Sequence, residues 1–96
     1  MRKHASAESS LDLHGLRASE AEAEVARFVR REHRRGVRRV CIVHGKGLHS
    51  EGGVGVLADR VVRALTEGLA APLVVAFATA PADLGGTGAL LVELAR

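Results

Sequence analysis

Apolar positions along this chain change their period several times, and each change marks an element. Leu11-Asp12-Leu13-His14 alternates apolar and polar, the signature of a short strand with one buried face, and Gly15 ends it. From Ser19 the period lengthens, and Ala21, Val25, Phe28 and Val29 fall on one helical stripe. Ser19-Glu20-Ala21-Glu22 has the composition of a capping box, with a hydroxyl and a carboxylate able to take two unpaired amides of the first turn. Glu20, Glu22 and Glu24 come early and Arg30, Arg31, Arg34 and Arg35 late, an order that suits the helix dipole. With Gly36 as the stop, a helix is expected over 19–35. Val37 to Val43 reads as a second strand whose near-continuous apolar end is expected to be covered on both faces.

A glycine-dense segment over 44–53 follows. Val54, Leu57, Val61 and Leu65 then recur at helical spacing, which predicts a second helix from about 54 to 67, ended by Gly68. Leu73 to Ala78 and Ala89 to Leu94 read as two further strands, separated by a loop over 79–87 that contains Pro81, Gly85 and Gly86. Residues 1–9 show no periodicity and read as a flexible tail, leaving 10–96 as one domain. The order β-α-β-α-β-β places the chain in the α/β class, as an α+β two-layer sandwich on a four-stranded mixed sheet. Strand–helix–strand units favour parallel neighbours, whereas the last strand follows a loop and is free to run antiparallel.

Composition narrows the partners. At 96 residues the chain has room for one domain, and 47% hydrophobic residues supply a core that a disordered chain lacks. No stretch approaches the ~20 apolar residues of a membrane span, so no membrane partner is expected. The polar start MRKHASAESS carries no secretory core, and the single Cys41 sits in an apolar run as a buried thiol, so the cytoplasm is the default compartment. The net charge of +3 suits an anionic partner such as nucleic acid. Phe28 and Phe77 are the only aromatics and both fall in core segments, which disfavours stacking of bases and leaves phosphate contacts to carry binding.

Three places could hold chemistry. Asp12 and His14, two apart on a strand, point to one side; they are either the polar face of an edge strand or a carboxylate that fixes an imidazole. His44-Gly45-Lys46-Gly47 ends the second strand, at the carboxyl rim where open α/β sheets bind ligands. Glycines there let backbone amides approach a phosphate, Lys46 adds a point charge, and His49 lies in the same loop. No Walker pattern is present, so nucleotide hydrolysis is not indicated. Gly85 and Gly86 could admit a backbone or a phosphate in the loop before the last strand, or simply form a turn. Arg38 and Arg39, with the four late arginines of the first helix, form either an electrostatic footprint for nucleic acid or a solvated face.

Leu-Asp-Leu-His-Gly-Leu at 11–16, His-Gly-Lys-Gly-Leu-His-Ser at 44–50, Gly-Val-Leu at 55–57 and Gly-Gly-Thr-Gly-Ala at 85–89 together resemble the Smr (small MutS-related) domain, in order and in spacing, over about 10–95. The resemblance implies a fold like the C-terminal domain of translation initiation factor three, and a DNA- or RNA-nicking endonuclease activity. It carries the family's Asp-x-His motif onto Asp12 and His14, and its HGKG motif onto His44, Gly45, Lys46 and Gly47.

Cutting a phosphodiester needs a base, an acid and a holder for the transition-state charge. Carboxylates for a two-metal site are sparse, and His14, His44 and His49 lack a strong zinc-ligand spacing. The expected scheme is therefore acid–base cleavage, with His14 oriented by Asp12 as base, His44 as acid, and Lys46 with loop amides on the phosphate; the two histidine roles are exchangeable. Gly45, Gly47, His49, Gly85, Gly86, Arg38 and Arg39 are expected to contact the nucleic acid. No cofactor is required on RNA, whose 2′-OH is the nucleophile, whereas DNA needs an activated water that a divalent metal such as Mg²⁺ could supply. The alternative is a binding module that acts with a partner, and a monomer is the default expectation.

Overall fold

The computed structural model describes residues 7–45 and 53–96, the side chains of 53–56 excepted. Strands β1 (Ser9–Asp12), β2 (Arg39–Val43), β3 (Val74–Thr79) and β4 (Ala89–Leu94) form one sheet in the order β1-β2-β4-β3, with helices α1 (Ala18–Arg34) and α2 (Gly53–Glu67) in the crossovers. β1 and β2 run parallel, and β4 runs antiparallel to both β2 and β3, so the mixed four-stranded sheet and the turned final strand are as expected. β4 lies between β2 and β3, because a loop rather than a helix leads into it.

Both helices pack on one face of the sheet. Val25, Phe28 and Val29 of α1 and Leu57, Val61 and Leu65 of α2 share a buried cluster with Val40, Ile42, Leu90, Val92 and Leu94. The alternate residues of β2 and β4, Cys41 and Leu91, face away from the helices. Both faces of β2 are covered as expected, one by the helices and the other, at Cys41, by Ala80, Ala89 and Leu84 around the short 3-10 turn Ala82–Leu84.

Three boundaries differ from the sequence expectation, each for a local reason. β1 begins at Ser9 and closes at Asp12, so His14 stands in the following turn rather than on the strand. Ser9 thus belongs to the sheet, and the Glu8 carboxylate accepts the Arg38 and Arg39 amides at 2.8 and 3.1 Å, so the expected tail over 1–9 does not extend to these two residues. The N-cap of α1 falls two residues before Ser19: it is Arg17, and its amide donates to the Glu20 carboxylate at 3.3 Å. At the other end Gly36 sits at φ +82°, its amide bonding the His33 carbonyl and the Val37 amide the Glu32 carbonyl, both at 3.0 Å. This left-handed stop consumes 36–37, which is why β2 opens at Arg39 and not at Val37.

Candidate nucleic-acid interface

β1 and β2 leave the sheet at the same end. Asp12 pairs in register with Val43, and the ladder runs one step further through the Leu13 amide on the Val43 carbonyl at 2.7 Å. Neighbouring strands lie roughly 4.8 Å apart, so the turn that carries His14 emerges beside His44 and Gly45. Leu13 is fully buried in the core and anchors this turn, while Asp12 and His14 are both exposed. Burying a leucine contributes about 1.5–3 kcal/mol, enough to hold the turn in place.

The Asp12 carboxylate accepts the backbone amide of His14 at 2.9 Å. The Leu16 amide closes the turn on the Leu13 carbonyl at 2.9 Å, with Gly15 at φ +91° supplying the left-handed step. Asp12 therefore shapes the backbone under His14; its bond goes to the main chain and not to the ring.

His44 is held from two sides. Its amide and that of Gly45 both donate to the Gly88 carbonyl, at 2.8 and 2.9 Å. The residue is 7% exposed, and Nδ1 of its ring lies 2.9 Å from the Gly45 carbonyl. A carbonyl only accepts, so Nδ1 carries the proton and Nε2 of the neutral ring is left as an acceptor. The same bonds tie the 85–88 segment to the rim. Gly85 and Gly86 take φ of +117° and +54° there. Their amides are already spent on the Ala82 and Pro81 carbonyls at 3.3 and 3.0 Å.

Asp12, His14, His44, Gly45, Gly85 and Gly86 thus gather at one end of the sheet. Lys46, Gly47 and His49 lie outside the described residues. Arg38 and Arg39 stand at the other end: Arg39 and His44 are five steps apart along β2, roughly 16 Å. Arg39 pairs in register with Glu93, and Glu8 holds both arginine amides. Those backbone bonds, largest first Arg38 then Arg39, hold the Glu8 carboxyl below its ordinary range.

Glu32 was missed among the arginines of α1, although it falls on the same helical stripe as Val25, Phe28 and Val29. Its side chain is fully buried and accepts from Arg31 at 2.9 Å, Arg35 at 3.0 Å and the Ser9 hydroxyl at 3.1 Å. The Arg31 hydrogen bond, followed by Ser9 and the Arg35 charge, outweighs burial and holds the Glu32 carboxyl low. Two of the expected footprint arginines are therefore paired with this acid while their side chains stay largely exposed. Burial pushes the Cys41 thiol up, and its Sγ donates to the Leu84 carbonyl at 3.4 Å, the setting of an inert thiol. Among the described residues no three His, Cys, Asp or Glu side chains come together as metal ligands, and no helix is long and apolar enough to cross a membrane.

The sequence profile of the Smr domain matches residues 11–95. The chain belongs to the Smr domain family. This Smr domain superposes on that of Thermus thermophilus MutS2 with a TM-score of 0.77 and 31% identity, over 92% of this chain and 99% of the other. Against YdaL, a stand-alone small MutS-related protein from Escherichia coli, the TM-score is 0.80 and the identity 33%, over 91% of this chain and 64% of YdaL. In sequence it is 38% identical to the ribosome rescue factor SmrB of Shewanella oneidensis over 82 residues. It covers 42% of that relative, and an uncharacterized Treponema pallidum protein, 48% identical over 56 residues, is covered over 27% of its length.

Proposed function

We propose that this Smr domain binds nucleic acid at the rim formed by β1, β2 and the 85–88 turn, and nicks it by acid–base chemistry. RNA is the substrate these residues suit best. His44 Nε2 takes the proton of a 2′-OH, the freed O2′ attacks phosphorus, and the P–O5′ bond breaks. His14 gives the departing O5′ its proton, leaving a 2′,3′-cyclic phosphate and a 5′-OH. Lys46 offsets the charge on the phosphate. The roles of the two histidines are thus exchanged relative to the first expectation.

The observation that carries this reading is that His14 and His44 follow the paired ends of β1 and β2 at one rim, with the tautomer of His44 set by the Gly45 carbonyl. Names borne by relatives, ribosome rescue factor and endonuclease, are in keeping with it. The chain works in the cytoplasm as a monomer on this reading, and needs no cofactor on RNA.

The test mixes the purified chain with labelled RNA and DNA in EDTA and identifies the product ends. A cyclic phosphate on RNA supports the scheme; loss of all cleavage under chelation rejects its metal-free form. A second reading, a phosphate-binding module without chemistry, is favoured by the Asp12 bond to backbone instead of ring. It predicts retention of RNA with no cut, and Asp12→Ala would then only weaken retention.

A further inference from the structure

On the sheet face away from the helices, a cleft of about 350 Å³ opens between β1 and the Ala82–Leu84 turn. Its volume lies within the range of small-ligand sites. Cys41, Val43 and Leu84 supply apolar lining, while Ser10 and Asp83 supply polar groups. Ser10 pairs in register with Cys41 and Asp12 with Val43, so both point to this face, with Asp12 roughly 7 Å further along the strand. The cleft therefore adjoins the rim where the phosphate is placed above.

Its charge decides what it can take. Among the described residues no lysine or arginine lines it, and Asp83 is exposed. Glu8, the other acid at its wall, is already committed to the Arg38 and Arg39 amides. Among the described residues Asp83 makes no ion pair, so its carboxylate is open to a donor. A phosphate would be repelled here, whereas a base edge rich in N–H groups would be held. A carboxylate accepts two parallel N–H bonds, and guanine alone among the four bases offers two adjacent donors, N1–H and N2–H, on its Watson–Crick edge. Adenine presents an acceptor beside its amino group and would meet the carboxylate with a lone pair.

We propose that this cleft is a subsite for one unpaired guanine, read by Asp83 across from Ser10, in the strand whose phosphate sits at the rim. The idea rests on the nucleic-acid reading of the rim but not on cleavage. Single-stranded recognition through a base edge is the usual way proteins specify RNA.

The test measures binding of short single-stranded oligonucleotides to the full chain by fluorescence anisotropy, with one guanosine replaced by inosine, which lacks the 2-amino group, or by adenosine. The expected result is about tenfold tighter binding with guanosine than with either replacement. Asp83→Asn should erase that difference while circular dichroism shows an unchanged fold, and Ser10→Phe should erase it by filling the cleft from the β1 side. Equal binding of guanosine and inosine by the parent chain, or a preference that survives Asp83→Asn, overturns the proposal. RNA that is bound with guanine preference but never cut sinks the nuclease reading alone; RNA that is cut without base preference sinks this one alone.

Discussion

The Asp12 carboxylate lies 2.9 Å from the backbone nitrogen of His14 and accepts a hydrogen bond from its N–H, so this acid acts on a turn and reaches the imidazole only through it. An asparagine can accept the same bond through its amide oxygen. Asp12→Asn is therefore expected to keep the RNA cleavage rate within about tenfold of the parent, whereas Asp12→Ala, which frees the turn, should lower it about 100-fold, the order of loss that a 1 Å misplacement brings. Single-turnover rates check this. An equal loss in both variants would mean that the negative charge itself is used.

The second prediction concerns acid. Glu32 and Glu8 both have carboxyls held below the ordinary 4.5 in the folded chain. A group lowered by folding contributes stability above its unfolded pKa, and that contribution is lost as pH falls through the folded value. The melting temperature should thus be level near neutrality and begin to fall below about pH 4.5. Glu32→Gln should flatten that fall and cost about 1–3 kcal/mol at pH 7 by urea denaturation. The cost stays moderate because Arg31 and Arg35 are 60% and 64% exposed and return to water.

Gly85 couples stability to the rim. It sits at φ +117°, and a Cβ there would stand 2.8 Å from the Ala89 Cβ. Gly85→Ala should cost about 1–3 kcal/mol from backbone strain, before the clash is counted. Because Ala89 follows Gly88, whose carbonyl holds the His44 and Gly45 amides, cleavage should also drop. A variant that is less stable yet cuts at the parental rate would uncouple the two.

Arg38 and Arg39 stand about 16 Å from His44 along β2. If both touch the phosphate backbone, the double variant with alanines should bind RNA more weakly with kcat unchanged, and the slope of log affinity against log salt should fall by about 1.4. An unchanged slope would make them a solvated face.

Legibility in the sequence followed the range of each physical effect. β4 was read at its observed bounds, Ala89–Leu94, because it is a short, nearly continuous apolar run and glycines precede it. The phase of Leu11-Asp12-Leu13-His14 was also right: Leu13 is buried and Asp12 and His14 are exposed. Where pairing stops was not visible, because Asp12 takes the next amide itself, and alternation reads the same in a strand as in the turn that leaves it. The rim holding Asp12, His14 and His44 followed from parallel pairing. The distance of Arg38 and Arg39 from the rim was not visible, because adjacency in sequence hides direction: Arg39 and His44 belong to one strand but to opposite ends of it. Glu32 sat on a stripe already counted as apolar, and only the fold brings Ser9 to it.

β4 enters the sheet at the rim and runs away from it, while β1 runs toward it. The start of β1 and the end of β4 therefore meet on the far side, where Glu8 and Glu93 share a recess with Arg38 and Arg39. A tag, a fluorophore or a whole neighbouring protein joined after Arg96 would be mounted behind the working surface, as a tool is held by its handle.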